Sequence, residues 1–146
     1  MKTSFTFVMI DDDADDIELF KSALNEVSAA AQFFDFTGFD SAYHFLSNEM
    51  RPVPDFIFLD LNLPNARGLG HLKAIKDIPR VANSKIIIYT TSLFPKQMEE
   101  AKALNVYRCI EKPYTYQAIC DLIRQIMDEI STDKSASANP GIEVGF

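Results

Sequence analysis

The chain has 146 residues, 47% of them apolar, which is enough for one domain with a buried core. Its 14 basic and 21 acidic residues give a net charge of −7, which disfavours nucleic acid and anionic membranes as partners and favours divalent cations and basic protein surfaces. The N-terminal residues lack the long apolar stretch of a signal peptide or a membrane span, and we therefore expect a cytoplasmic protein.

Short apolar runs recur along the chain and are typical of β-strands, because they are too short for helices. The third run lies between Pro54 and Pro64 and is uniformly apolar up to Asp60, as expected for a strand buried on both faces. A carboxylate at the end of such a run is costly unless it lies at an open edge, where water or a cation reaches it. The predicted strands are 5–10, 32–37, 55–60, 84–90 and 106–110.

Between the strands, apolar residues recur every three or four positions, which predicts amphipathic helices. Asp13 is the predicted N-cap of the first helix, and Asp15 and Asp16 suit its first turn because of the helix dipole. The fourth helix has a thin stripe and is expected to pack loosely, and Pro79 is expected to end the third. The apolar stripes are Ile17, Phe20, Leu24 and Val27; Ala42, Phe45 and Leu46; Leu69, Leu72, Ile75 and Ile78; Met98, Ala101 and Leu104; and Ile119, Leu122, Ile123, Ile126 and Ile130.

Alternating strands and helices predict a parallel sheet with helices on both faces, joined by right-handed crossovers. In such open sheets, ligands bind beyond the carboxyl ends of the strands. Those ends carry polar residues in this chain: Asp11 and Asp12 after the first strand, Asp60 after the third, Thr90 at the end of the fourth and Lys112 after the fifth. We therefore expect one polar site at this edge.

This ordered set closely resembles the receiver domain of two-component response regulators, and the resemblance covers nearly all of residues 5–130. The resemblance implies a flavodoxin-like (βα)5 fold, a doubly wound parallel five-stranded sheet of order 2-1-3-4-5. It places the domain at 1–130, and the Ser, Ala, Asn, Pro and Gly composition of 131–146 predicts a disordered tail. The family's landmarks fall on the acidic pair Asp11 and Asp12, the phosphoacceptor Asp60, the hydroxyl of Thr90, and Lys112 followed by Pro113.

The resemblance implies that Asp60 accepts a phosphoryl group from a phosphohistidine, with Mg²⁺ as the cofactor. The implied magnesium ligands are Asp12 and Asp60 directly, the backbone carbonyl of Asn62, and Asp11 through water. These are the hard oxygen ligands that Mg²⁺ prefers. Without a cation the converging carboxylates should repel one another and favour partial protonation, so we expect Mg²⁺ to raise the melting temperature.

Further implied roles concern the switch between the two phosphorylation states. Lys112 would supply a second positive charge, and Thr90 would reorient toward the phosphoryl group. The family typically has a cis peptide bond before the residue that corresponds to Pro113. Where many relatives have an aromatic residue that couples phosphorylation to output, this chain has Cys109. Tyr107, two residues earlier, is expected to share its sheet face if the strand is regular.

The predicted function is that of a stand-alone, chemotaxis-type response regulator that signals by protein contact rather than by turning over a substrate. Its partners would be a histidine kinase or histidine phosphotransfer protein and a downstream protein target. We expect a monomer or a weak, phosphorylation-dependent dimer. The face formed by the fourth helix and the fifth strand would be the docking surface.

Other protein classes remain open at this stage. A degenerate receiver would bind partners without being phosphorylated. A phosphohydrolase of the haloacid dehalogenase type would need a second aspartate two residues after Asp60, and this chain has Asn62 there. A flavodoxin-like cofactor binder shares the fold, but the acidic site would repel a flavin phosphate.

Overall fold

The computed structural model describes residues 4–64 and 69–132, without the side chains of the last two. A single sheet of five parallel strands forms its centre, in the order β2-β1-β3-β4-β5. This confirms the predicted fold and strand order. The strands are β1 Thr6–Ile10, β2 Gln32–Phe36, β3 Phe56–Leu59, β4 Lys85–Thr90 and β5 Arg108–Glu111.

The described helices follow the strands in alternation, as the periodicity predicted. None of them has the length and apolar character needed to span a bilayer. A 3-10 turn at Pro79–Val81 precedes β4. The helices are α1 Ala14–Val27, α2 Phe39–Ser47, α3 Gly70–Lys76, α4 Pro95–Ala103 and α5 Tyr116–Thr132.

Several element boundaries differ from the predicted ones by one or two residues. Helix α3 ends at Lys76, so Ile78 lies outside it and is buried just ahead of the 3-10 turn. Strand β5 begins at Arg108, and Asn105, which has a left-handed backbone conformation with φ 58°, lies between α4 and the strand. Helix α5 continues to Thr132, two residues beyond the predicted domain end at 130. The rest of the predicted tail, 133–146, lies outside the described residues.

Apolar side chains alternate between the two faces of the sheet, because successive residues of a strand point in opposite directions. In β1, Phe7 and Met9 pack against α1 and α5, whereas Val8 and Ile10 face the side of α2 and α3. The α1/α5 side is rich in aromatic residues. Its rings are in contact in a single cluster: Phe5, Phe7, Phe20, Phe33, Phe56, Phe58 and Tyr89.

Helices α4 and α5 differ sharply in how they pack. Only Ala101 of α4 is fully buried, so the predicted loose packing of this helix is confirmed. Helix α5 buries Ile119, Cys120, Leu122, Ile123 and Ile126 among the residues of the α1/α5 side. Because burying an aliphatic side chain contributes about 1.5–3 kcal/mol, α5 is anchored far more firmly than α4.

Candidate functional site

The first acidic residue of the site, Asp11, lies directly after β1 and is 1% exposed. Its backbone N–H donates to the Phe36 carbonyl at 3.0 Å, which keeps it in line with the sheet edge. Its Oδ1 accepts a hydrogen bond from the backbone N–H of Asp13 at 2.9 Å. Asp13 is the predicted N-cap of α1, and the structure confirms this: its Oδ1 accepts from the backbone N–H groups of Asp15 and Asp16.

Asp60 occupies the equivalent place after β3 and is 4% exposed. Its backbone N–H donates to the Ile10 carbonyl at 3.0 Å, so Asp11 and Asp60 stand side by side on neighbouring strands. The Asp60 Oδ1 accepts from the backbone N–H of Asn62 at 2.8 Å and from the Thr90 hydroxyl at 3.0 Å. The Asp60 Oδ2 accepts from the Lys112 ammonium at 3.0 Å. Both carboxylate oxygens are therefore held in fixed positions.

Thr90 ends β4 and is fully buried. While its hydroxyl donates to Asp60, it accepts a hydrogen bond from the Asn62 side-chain Nδ2 at 2.9 Å. The sequence predicted only a backbone role for Asn62, and its side-chain contact with Thr90 is a finding of the structure. No pattern in the sequence links these two residues, which are 28 positions apart.

Lys112 brings a single positive charge among the carboxylates. Its backbone N–H donates to the Thr90 carbonyl at 2.8 Å, which places the residue beside β4. The ammonium lies 2.7 Å from Asp11 Oδ2, 2.7 Å from Asp16 Oδ2 and 3.0 Å from Asp60 Oδ2. Burial lowers the pKa of Lys112, but its close contacts with Asp11 and Asp16 and the nearby negative charges outweigh it and raise the pKa above its usual range.

Asp16 is a site residue that the sequence did not single out. The pattern assigned it only to the first turn of α1, where any acidic residue is favourable. Its contact with Lys112 joins residues 96 positions apart. The one available signal was that the first turn of α1 follows Asp11 and Asp12 within a few residues.

The arrangement of acidic residues fits a divalent cation. Asp11, Asp12 and Asp60 each offer a carboxylate oxygen, and these oxygens lie within 4.8 Å of one another. Two ligands on opposite sides of a Mg²⁺ ion stand about 4 Å apart, so small side-chain movements suffice. The buried Asp11 Oδ2 lies close to Lys112 but accepts no hydrogen bond of ordinary angle among the described residues. A buried carboxylate oxygen that accepts no hydrogen bond has lone pairs available for a cation.

The expected tendency toward protonation in this site is found at Asp11, whose pKa is raised. Burial raises the pKa of its carboxyl from 3.8 to about 6; Lys112 and the Asp13 N–H act against this rise, and the charge of Asp60 adds to it. The sequence attributed this tendency to repulsion among carboxylates. That reason was wrong in emphasis, because loss of water around Asp11 is the main cause and Lys112 compensates much of the repulsion.

A family model described as the response regulator receiver domain matches residues 7–124, a range that contains all the strand-end residues of this site. The chain belongs to this family. The flavodoxin-like order of the sheet and the clustered carboxylates are therefore those of a receiver domain.

Individual relatives show how far this receiver domain has diverged. The chemotaxis protein CheY of Pseudomonas aeruginosa is 26% identical over 77 residues, which are 53% of this chain and 62% of that protein. The match thus spans less than two thirds of that relative. The response regulator receiver domain from Rhodospirillum rubrum is similar in structure, with a TM-score of 0.73 at 27% identity, covering 88% of this chain and 95% of that one.

Two further structures are similar in fold. The phosphorylated cyanobacterial phytochrome response regulator RcpA has a TM-score of 0.75 at 23% identity, covering 94% of this chain and 99% of its own. The Mn²⁺-bound form of the response regulator Rcp1 has a TM-score of 0.70 at 23% identity, with the same coverage. The match to the receiver family, rather than these two structures, assigns the domain to two-component signalling.

The residues expected to couple the receiver to its output lie on different sides of the sheet. Cys109 is fully buried on the α2/α3 side, and burial raises the pKa of its thiol to about 11. Tyr107 packs on the α1/α5 side, where its hydroxyl donates to Glu129 at 2.7 Å. The prediction that Tyr107 shares the face of Cys109 was wrong. Because β5 begins only at Arg108, the alternation of the strand does not extend back to Tyr107.

The peptide bond between Lys112 and Pro113 is trans, as are all the others that the structure describes. The expected cis bond is therefore a wrong prediction. A proline peptide bond favours trans by about 0.5–1 kcal/mol unless its surroundings reverse the preference. Here the trans bond is compatible with the contacts of Lys112 to Thr90 and Asp60.

Proposed function

We propose that Asp60 is the phosphoacceptor of a two-component phosphorelay, and that a histidine kinase or a histidine phosphotransfer protein is the donor. One observation carries this proposal: the Asp60 carboxylate is fixed at the sheet edge by Thr90 and Lys112, next to the acidic residues Asp11 and Asp12. A carboxylate held in this way can attack phosphorus, and phosphoryl transfer needs little beyond alignment and neutralisation of charge.

In the proposed reaction, an Asp60 oxygen forms a bond to the phosphorus of a phosphohistidine. The P–N bond breaks, and the imidazole leaves with the electron pair. The product is an acyl phosphate on Asp60. The Lys112 ammonium, 3.0 Å from Asp60 Oδ2 in the resting site, is close enough to transfer a hydrogen bond to a phosphoryl oxygen.

The residues that would hold Mg²⁺ are Asp12, Asp60, the backbone carbonyl of Asn62, and Asp11 through water. Their carboxylate oxygens already lie together, which supports this assignment. When bound, the ion would offset the negative charge that phosphoryl transfer brings to the site. Asn62 also bears on the phosphohydrolase alternative: its side chain donates to Thr90 and has no carboxyl that could act as the general acid.

The switch would begin at Thr90, whose hydroxyl must leave Asp60 Oδ1 before it can donate to a phosphoryl oxygen. That movement also breaks the hydrogen bond from Asn62. The loop after Thr90 is tied to β5, because the Leu93 N–H donates to the Glu111 carboxylate at 3.1 Å. Helix α4 follows this loop and is weakly anchored, so we propose that α4 and β5 form the surface that contacts a downstream protein.

The deciding experiment is intact-mass spectrometry after incubation with Mg²⁺ and a small phosphodonor such as phosphoramidate. The wild-type protein should gain one phosphoryl group, and Asp60→Asn should gain none. A chelator added to the wild-type reaction is the control for the metal. An adduct on Asp60→Asn would show that another residue accepts the group. If neither protein is modified, even by histidine kinases, the chain is a degenerate receiver that acts by binding alone.

A further inference from the structure

Lys112 has three carboxylate neighbours, and they do not have the same proposed role. Asp11 and Asp60 belong to the proposed metal and phosphoacceptor set, whereas Asp16 does not. Yet the Asp16 Oδ2 is 2.7 Å from the ammonium, as close as Asp11 and closer than Asp60. The Lys112 side chain is 10% exposed and that of Asp16 is 30% exposed, so water screens this contact only partly.

Asp16 lies in the first turn of α1, a helix that is capped and packed into the core. Its backbone N–H donates to the N-cap oxygen of Asp13, and Ile17 and Phe20 anchor the same helix in the core. Lysine, by contrast, has a long and flexible stem that loses considerable rotamer entropy when it is fixed. A carboxylate on a well-packed helix can therefore hold the Lys112 ammonium in one position.

We propose that Asp16 is a positioning residue that keeps the Lys112 ammonium beside Asp60 while the other partners of that ammonium change. This inference rests on the proposed function. A bound cation would compete with Lys112 for the negative charge of Asp11 and Asp60, and phosphorylation would convert the Asp60 carboxylate into an acyl phosphate. Asp16 is the neighbour that keeps its charge and its place throughout. It leaves Lys112 tethered on one side and free to donate to a phosphoryl oxygen on the other.

A simpler explanation is that Asp16 only stabilises the N-terminus of α1, as acidic residues in a first turn commonly do. Asp15 provides the matched control for that explanation. It is in the same turn, carries the same charge and is exposed. The side-chain contact with Lys112 belongs to Asp16. Asp15→Asn and Asp16→Asn therefore remove the same charge from the same turn, but only the second removes the contact with Lys112.

The first test needs no phosphorylation. The full chain with Mg²⁺ is treated with an amine-acylating reagent, and modification of Lys112 is followed by peptide mass spectrometry. We expect Asp16→Asn to raise the acylation rate of Lys112 about tenfold, the factor that corresponds to about 1.4 kcal/mol. Asp15→Asn should stay within about twofold of wild type, as expected for an exposed charge that makes no contact with Lys112 among the described residues. Equal rates in the two variants would overturn the proposal.

The second test measures the initial rate of phosphorylation with phosphoramidate at saturating Mg²⁺. Asp16→Asn should be slower than Asp15→Asn by about tenfold, and Asp16→Glu should recover part of the rate because it restores the charge.

A wild-type protein that accepts no phosphoryl group would refute the proposed function, but the acylation test would still decide the role of Asp16. Normal phosphorylation of Asp16→Asn would refute the positioning role alone. Urea unfolding of each variant identifies any that fails to fold, and Asp16→Glu then serves as the test variant against wild type.

Discussion

Two neighbouring regions of this receiver domain differ in the interactions that hold them together. The aromatic cluster between the sheet and helices α1 and α5 is dry and apolar, whereas the charged cluster at the strand ends buries Asp11 and Asp60 beside the partly exposed Lys112. Tyr89 belongs to both regions. Its ring lies 5.7 Å from that of Phe20 and 5.9 Å from the Lys112 ammonium.

The aromatic cluster stabilises the fold, whereas the charged cluster lowers its stability in order to form the proposed site. The rings of the aromatic cluster pack closely against one another, so their burial raises the free energy of unfolding. In the charged cluster, one ammonium faces three carboxylates, and burial raises the pKa of Asp11. The imbalance is one that a divalent cation would correct. Substitutions that remove side-chain volume should therefore lower stability most in the aromatic cluster. Ions and pH should affect stability through the charged cluster.

The largest effect is expected in the aromatic cluster. Phe20→Ala should lower the free energy of unfolding by about 3–5 kcal/mol, because Phe20 is fully buried among four other rings and the cavity cannot close. The measurement is urea denaturation. Leu19→Ala is the control, since Leu19 is 46% exposed on the same helix and its loss should change stability by no more than about 0.5 kcal/mol. Similar losses in both variants would contradict the assignment of stability to this cluster.

A smaller effect is expected when Mg²⁺ is added. At a concentration about 100 times its Kd, the ion should raise the free energy of unfolding by about 2.7 kcal/mol. Asp12→Ala should remove this stabilisation because it deletes a proposed ligand, while Phe20→Ala should retain it. Asp15→Ala controls for the loss of a nearby charge. An undiminished Mg²⁺ response in Asp12→Ala would exclude the proposed ligand set.

A third effect concerns pH and distinguishes the two regions most directly. The pKa of Asp11 is about 6 in the folded chain against 3.8 ordinarily, so the folded state binds the proton more tightly than the unfolded state. The stabilisation from this proton is complete below about pH 4 and is lost as the pH rises through about 6. The free energy of unfolding of wild type, measured relative to Asp11→Asn, should therefore fall across this interval.

Magnesium affinity should change in the opposite direction, because the ion needs the ionised carboxylate. Calorimetric titrations on either side of pH 6 measure this affinity, which should increase with pH. The control is the same stability comparison in saturating Mg²⁺, which should keep Asp11 ionised and reduce the pH dependence. A wild-type affinity that is independent of pH across the interval would contradict the raised pKa of Asp11.

Much of the fold and most of the candidate site could be predicted from local patterns. The periodicities alone defined strands and helices, and Asp13 was recognised as an N-cap because a cap depends only on the residues that follow it. Asp11, Asp60, Thr90 and Lys112 could be grouped because parallel strands bring their carboxyl ends to one edge. The structure brings these four side chains together through direct contacts.

Two predictions failed because a general rule does not describe the backbone of this chain at that point. Tyr107 was assigned to a sheet face by strand alternation, but the strand begins one residue later. The bond before Pro113 was assigned by resemblance to the family, and in this chain it is trans. Neither outcome depends on residue type alone, because each is decided by the backbone path around it.

Which elements form, and which of their ends carry charge, follows directly from the sequence, because both depend on patterns only a few residues long. The tertiary structure alone decided which polar groups pair: Asp16 with Lys112, 96 residues apart, and Asn62 with Thr90, 28 residues apart. Such pairs depend on strand order, on the direction of a helix and on side-chain reach. These quantities are fixed only when the whole sheet has formed, so no local pattern contains them.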